Sequence, residues 1–148
     1  MTGKTVGMEL KTLSHLFRRS VENLPSFQYA ESITGTNSWI IAYLARNNNR
    51  DIFQKDLEKK FSINRSTASR VIKRMEKKGL IERHAVPYDA RLKQLVLTDK
   101  AIELHQAVSA DLAHLESVLI KDLSKAEVDN LYIYIDKMKN SLISIQGK

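Results

Sequence analysis

Apolar residues recur at helical spacing along most of this chain. The spacing of the leucines predicts a first helix over residues 8–22, and a looser stretch around Pro25 is expected to follow it. Thr36 or Asn37 is then suited to cap a second helix over residues 38–46, because short polar side chains satisfy the first free amides of a helix. The first third of the chain is therefore predicted to be mainly helical.

The middle of the chain predicts two short helices separated by a tight turn. One covers residues 52–61, and the next is capped by Asn64 and ends at Gly79, a residue typical of helix C-termini. Two short helices joined in this way are typical of a helix-turn-helix, whose second helix enters the major groove of DNA.

A short β-hairpin is predicted after the helix-turn-helix. Residues 80–86 and 92–97 have strand composition, and Pro87-Tyr88-Asp89-Ala90 between them has turn chemistry. A hairpin in this place is a wing. Thr98 is then expected to cap a long helix that runs to about Leu123.

The last predicted helix carries a regular apolar stripe. It opens with a capping box, Ser124-Lys125-Ala126-Glu127. Stripes of this kind pack along another helix, either inside one chain or between two chains, and in a chain of 148 residues we favour a homodimer. The predicted dimer residues are Val128, Leu131, Ile135, Met138, Leu142 and Ile145.

These elements together predict a mainly α fold with a small β-hairpin wing. The chain is expected to form a winged helix-turn-helix flanked by N-terminal and C-terminal helices, the last of which carries the predicted dimer stripe. The expected division is residues 1–35 for the N-terminal helix and connection, 36–98 for the DNA-binding domain, and 99–148 for the C-terminal helices.

Charge adds a candidate function to this fold. The net charge is +7, and residues 46–93 hold fourteen basic and six acidic residues, a net charge of +8. A basic block between near-neutral flanks is typical of a phosphate-binding surface, although a solvated face is the alternative.

The chain has no cysteine, which excludes disulfides, thiolate metal sites and thiol redox switches.

The helix after Asn64 separates its apolar and polar residues cleanly. At 100° per residue, Ala68, Val71, Ile72 and Met75 share an arc that can face a core. Hydroxyls and cations fill the opposite arc, where they can contact base edges and phosphates; a merely basic surface helix is the alternative. With the two residues that open the helix, the predicted DNA contacts are Asn64, Arg65, Ser66, Thr67, Ser69, Arg70, Lys73, Arg74 and Lys77.

The wing supplies a second predicted DNA contact. Arg91 at its tip is suited to the minor groove, where arginine senses narrow and strongly negative A·T stretches. Asp89 either braces an arginine or simply forms the turn. Arg83 and Lys93 are assigned to the same DNA-binding wing.

The ordered motifs resemble the winged-helix core of the multiple antibiotic resistance regulator (MarR) family over about residues 36–100. The resemblance is carried by Ser62–Arg70, Met75–Arg83, Asp89-Ala90-Arg91 and Leu97-Thr98. It implies a homodimeric transcriptional regulator, more often a repressor, with terminal helices in the dimer interface. It also implies pseudo-palindromic double-stranded DNA, recognition by the Ser66–Lys73 face, and insertion of Arg91 into the minor groove. The family's usual Thr-x-x-Gly is replaced by Thr98-Asp99-Lys100-Ala101.

Members of this family often bind small aromatic acids between the dimerisation helices and the winged domain. The resemblance therefore implies a small aromatic or amphipathic effector. His15, Arg18, Trp39 and Tyr43 have the chemistry to line its site, with Trp39 as a plain core residue being the alternative.

Other function classes have little support in the sequence. The four histidines form no HxxxH or HExxH pair, and no phosphate loop, dinucleotide pattern or oriented triad is present, so we expect no metal, no cofactor and no enzyme activity. The longest apolar run, Trp39–Ala45, is too short to span a bilayer, and the expected location is cytoplasmic. A winged-helix protein-interaction module and a non-specific architectural DNA binder remain the alternative functions.

Overall fold

The computed structural model describes residues 3–35 and 38–147 and has the predicted mainly α winged-helix fold. The expected cap at Thr36 or Asn37 lies outside the described residues. The elements in these ranges are α1 (Val6–Glu22), α2 (Pro25–Thr34), α3 (Ser38–Arg46), α4 (Gln54–Phe61), α5 (Arg65–Lys77), β1 (Ile81–Val86), β2 (Asp89–Leu97), α6 (Asp99–Leu119) and α7 (Lys125–Gln146).

The stretch around Pro25 is a helix, so the prediction of a looser connection is wrong. Pro25 is the first residue of α2, where a missing amide hydrogen costs nothing because the first helical amides have no partner within the helix. The helix ends at Gly35, which has a φ of 64° that glycine adopts without strain. The proline therefore starts a helix here.

Short boundary differences have similar local causes. The helix α1 begins at Val6, two residues before the predicted start, because the Thr5 hydroxyl caps it by accepting from the Met8 amide. Residues 52 and 53 are not helical: the carbonyl of Ile52 accepts from the Leu95 amide at 2.7 Å, so this segment pairs beside β2. The helix α6 ends at Leu119, before the predicted Leu123.

The core lies beneath α5 and the hairpin. Ala68, Val71, Ile72 and Met75 are the buried residues of α5, as the helical projection predicted. Val71, Ile72 and Met75 form a cluster with apolar residues from α3, α4, β1, β2 and the start of α6. The main core cluster comprises Ile40, Ile41, Leu44, Ile52, Leu57, Val71, Ile72, Met75, Leu80, Ile81, Leu95, Ala101 and Leu104.

The second strand of the wing, β2, begins three residues before the predicted position because the turn is tighter. β1 and β2 pair antiparallel from Ile81 opposite Leu97, and only Pro87 and Tyr88 separate the strands. The pairing shifts between Ala85 and Val86, which leaves residues 90–92 in an irregular part of β2. Such bulges redirect side chains, and Arg91 lies in this one.

The chain divides into two compact units, residues 1–112 and 113–148. The first contains the core and the wing. The second contains the last turns of α6 and all of α7, whose capping box is formed as predicted: the Ser124 hydroxyl accepts from the Glu127 amide, and the Glu127 carboxylate accepts from the Ser124 amide. Over its whole length α7 has no buried residue, and the same holds for α1.

Candidate nucleic-acid interface

The start of α5 is held by three local contacts. Asn64 Oδ1 accepts from the Thr67 amide and from the Ser66 hydroxyl, each at 2.8 Å, which confirms the predicted N-cap. Ser62 takes the left-handed conformation, with a φ of 51°, and so makes the tight turn after α4. Gln54 at the start of α4 donates to the Arg65 carbonyl at 3.2 Å. The two helices of the helix-turn-helix are therefore joined at their N-terminal ends.

The outer face of α5 is cationic and open to solvent. Thr67 and Ser69 are half-buried at its edges, and Ser66 is exposed. The ion pairs found among residues 3–35 and 38–147 include no cation of this face. Its charge is therefore available to an anion. The exposed cations are Arg65, Arg70, Lys73, Arg74 and Lys77.

Arg83 of β1 is half-buried and is bonded to α5. Its Nε donates to Glu76 Oε1 at 2.8 Å, and its Nη2 is buried with no hydrogen-bond partner in the described parts of the chain. Lys93, opposite Ala85 in the hairpin, is exposed. Of these two wing cations, only Lys93 projects freely into solvent.

At the wing tip, the exposed side chain of Arg91 is bonded to the carboxylate of Asp89. The Arg91 side chain is 91% exposed. Asp89 Oδ1 accepts from the Arg91 amide at 2.9 Å and from Arg91 Nε at 3.3 Å. Both interpretations of Asp89 are therefore realised, since one carboxylate shapes the turn and contacts the guanidinium.

A second carboxylate reaches the wing from a distant part of the chain. The Tyr88 hydroxyl donates to Asp51 Oδ2 at 2.8 Å. This hydrogen bond, followed by slight burial and the negative charges of Asp51 and Asp89, raises the pKa of Tyr88. Sequence reasoning did not find Asp51, because 37 residues separate it from Tyr88 and no local pattern joins them.

The residues predicted for an effector do not share one cavity. Trp39 lines an apolar cavity of about 490 Å³ with α2 and α6, and its ring centroid lies 4.1 Å from that of Phe61. Tyr43 packs on Phe61 and its hydroxyl accepts from Arg50, while His15 and Arg18 are exposed on α1. The residues that line the cavity include Phe27, Ala30, Thr34, Trp39, Leu104 and Leu112.

Half of the residues in the predicted dimer stripe are exposed within one chain. Leu131, Leu142 and Ile145 are 39%, 58% and 68% exposed. Val128, Ile135 and Met138 are half-buried. Three of these six apolar side chains thus face solvent.

The described residues contain neither a cluster of metal-binding side chains nor a helix suited to span a membrane. In residues 3–35 and 38–147 no three side chains of the metal-binding types are grouped to hold an ion. None of the helices within those ranges is both long and apolar enough to cross a bilayer.

Comparison with known proteins identifies the family. A model of the MarR family matches residues 32–92. The transcription regulator MarR from Oenococcus oeni is 34% identical, the match covers 92% of this chain and 99% of that one, and the TM-score is 0.54. The chain belongs to the MarR family. The resemblance seen in the motifs is thereby confirmed, and the fold is that of the family's winged-helix transcription regulators.

Other MarR-family structures align over nearly the whole chain. MepR, a transcription regulator of the Staphylococcus aureus multidrug efflux pump MepA, is 25% identical with a TM-score of 0.72, and the match covers 94% of this chain and 99% of MepR. An S. aureus MepR variant bound to an oligodeoxyribonucleotide is 26% identical with a TM-score of 0.67, over 94% of this chain and 99% of that one.

Proposed function

We propose that this MarR-family chain is a homodimeric regulator that binds a pseudo-palindromic DNA operator and represses transcription by occupying a promoter. The observation that carries the proposal is the outer face of α5, where hydroxyls and cations stand together and no described carboxylate pairs with the cations. Its arginines and hydroxyls can read base edges, while its lysines neutralise phosphates.

The wing complements this face. Arg91 is almost fully exposed and its direction is limited by Asp89, so it suits insertion into a narrow minor groove. The DNA-bound MepR variant, which aligns over 94% of this chain, supports DNA as the partner. Arg83, held by Glu76, is assigned no direct DNA contact.

A second copy of the chain is the proposed cover for the apolar faces of α1 and α7. Neither helix buries a residue within one chain, yet both are rich in large apolar side chains. Examples are Leu13 and Leu16 on α1, at 50% and 54% exposure, and Leu142 on α7, at 58%. Apolar faces of this extent are typical of obligate interfaces. A two-fold dimer also matches a pseudo-palindromic site.

The cavity beside Trp39 is the proposed effector site. Its apolar walls suit a small aromatic or amphipathic molecule, and Glu31, Arg46 and His105 in its lining offer polar contacts. Of the helices that line this cavity, α3 and α6 also contribute buried residues to the core cluster beneath α5.

The decisive experiment is selection of DNA from a random pool, followed by competition with unselected DNA. A specific regulator enriches a two-fold symmetric site and keeps it in excess random DNA. The double variant Arg70→Ala/Arg91→Ala should lose this enrichment, while Lys121→Ala/Lys137→Ala, which removes two exposed cations elsewhere, should keep it. Binding without enrichment would indicate an architectural DNA binder, and no DNA binding at all would leave the interaction module.

A further inference from the structure

A side-chain hydrogen bond connects the wing tip to a distant part of the chain. Tyr88 occupies the two-residue turn of the hairpin, and its hydroxyl donates to Asp51 Oδ2 at 2.8 Å. We propose that Tyr88 and Asp51 form a latch that positions the wing, so that Tyr88 is a specificity-determining residue for minor-groove reading by Arg91. This inference rests on the proposed DNA-binding function.

Asp51 is well placed to act as a fixed point. The next residue, Ile52, is buried at 2% exposure, and its carbonyl accepts from the Leu95 amide at 2.7 Å. The backbone beside Asp51 is therefore anchored both to the core and to the root of β2. A hydrogen bond from Tyr88 to this position connects the tip of the hairpin to the same anchored segment.

The tip needs such a connection because a two-stranded ribbon is weakly stabilised by itself. The regular pairing of β1 and β2 stops at Ala85 opposite Lys93, and the strands meet again only at Val86 opposite Asp89. Arg91 lies in the irregular segment between these pairs. Without the latch, the direction of Arg91 would depend on this short segment and on Asp89 alone.

Two carboxylates therefore act on neighbouring parts of one tip. Asp89 orients the guanidinium of Arg91 relative to the turn, and Asp51 orients the turn relative to the body. Ordering a side chain before binding lowers the conformational entropy lost on binding. The latch should consequently strengthen the readout at Arg91 while adding little to overall stability, since Tyr88 is 65% exposed.

The test measures binding to the selected operator with A·T flanks and with G·C flanks. Tyr88→Phe should reduce the preference for A·T flanks by about three- to tenfold, the size of one hydrogen bond. Asp51→Ala should have the same effect, whereas Asp51→Asn, which keeps an acceptor oxygen, should retain most of the preference. Tyr29→Phe is the matched control, because Tyr29 is an exposed tyrosine on α2 at 62% exposure.

A double variant separates positioning from general damage. Arg91→Ala should abolish the flank preference, and adding Tyr88→Phe to Arg91→Ala should lower the operator affinity no further if Tyr88 acts through Arg91. Thermal midpoints of Tyr88→Phe and wild type should agree within experimental error. A lowered midpoint together with equal losses on operator and random DNA would overturn the latch.

The failure of the latch and the failure of the proposed function give different results. If Arg91→Ala leaves the flank preference intact, the wing does not read the minor groove and that part of the proposed function is wrong. If Arg91→Ala abolishes the preference but Tyr88→Phe and Asp51→Ala keep it, only the latch is overturned.

Discussion

Arg83 in β1 donates through Nε to Glu76 Oε1 in α5, at 2.8 Å, and thereby joins the wing to the helix that carries the cationic face. Both side chains are about one-third exposed, at 29% and 35%. The pair is positioned to keep the wing and α5 in a fixed relation. Arg83 was predicted from the sequence as a DNA contact, and this geometry favours a role within the fold.

Replacing Arg83 should therefore affect stability more than DNA recognition. Arg83→Gln loses a charge-assisted hydrogen bond at a partly exposed site, and we expect the free energy of unfolding to fall by about 1 kcal/mol. Urea unfolding measures this change. Arg74→Gln, an exposed cation of α5 with no described ion pair, should leave unfolding unchanged. A large loss of operator affinity in folded Arg83→Gln would instead support the direct DNA contact that the sequence predicted for Arg83.

Substitution of two cations of the outer face of α5 should affect DNA binding in different ways. Arg70 lies in the first half of α5, where side chains reach bases, so Arg70→Ala should cost about 1–3 kcal/mol on the operator and much less on random DNA. Lys77 is the last residue of the helix and is expected to contact the phosphate backbone of the DNA. Lys77→Ala should weaken both DNAs similarly and reduce the salt slope by about one. Equal effects of both substitutions on operator and random DNA would mean an undifferentiated electrostatic surface.

Charges placed in the stripe of α7 should dissociate the proposed dimer. Leu131→Asp/Leu142→Asp would place carboxylates where the second copy is expected, and burying them is costly. Sedimentation equilibrium at micromolar concentration should show a dimer for the wild type and a monomer or unfolded chain for this variant. Asn130→Asp/Ser141→Asp adds the same charge at adjoining polar positions and should remain dimeric. A monomeric wild type would refute the dimer.

The capping box of α7 should make stability depend on acid pH. The amide and hydroxyl of Ser124 lower the pKa of Glu127, so its carboxylate binds protons less readily when folded. This contribution is present above the ordinary pKa of glutamate and is lost as pH falls through the lowered pKa. Glu127→Gln should be less stable at neutral pH, and the difference from wild type should shrink in acid. Glu116→Gln, at an exposed position of α6, is the control; a constant difference would contradict the titration.

The single tryptophan reports directly on the proposed effector site. Trp39 lines the apolar cavity, so a small aromatic ligand bound there should change its fluorescence saturably. Ala42→Phe fills the cavity from α3 and should abolish the response. Ala45→Phe, one turn further along and outside this cavity, should keep it. A response that survives Ala42→Phe would place the ligand elsewhere.

Local chemistry explains why α5 could be predicted in detail. Its four buried residues, Ala68, Val71, Ile72 and Met75, repeat at helical spacing. Its N-cap, Asn64, accepts from the amide of Thr67, only three residues further along the chain. The same locality made the capping box at Ser124 predictable. Pro25 misled the prediction because proline is tolerated at the first position of a helix, and only the following residues distinguish a start from a break.

Contacts between distant segments could not be predicted in this way. Asp51 is an ordinary polar residue in sequence, and it gains its role only when folding brings it to Tyr88. The pairing of Glu76 with Arg83 similarly depends on where the wing lies against α5. The cavity beside Trp39 arises from the arrangement of α2, α3 and α6, which periodicity within each helix does not specify.

The absence of any buried residue in α7 has a consequence for how the protein responds to its own abundance. A helix that buries no residue within its own chain draws little packing energy from it, because most helical stability in proteins comes from tertiary packing. In the proposed dimer that energy is supplied by another molecule. Dilution would dissociate the proposed dimer and so remove the packing that stabilises α7. The concentration of the protein then helps to determine what fraction of the chains has α7 folded.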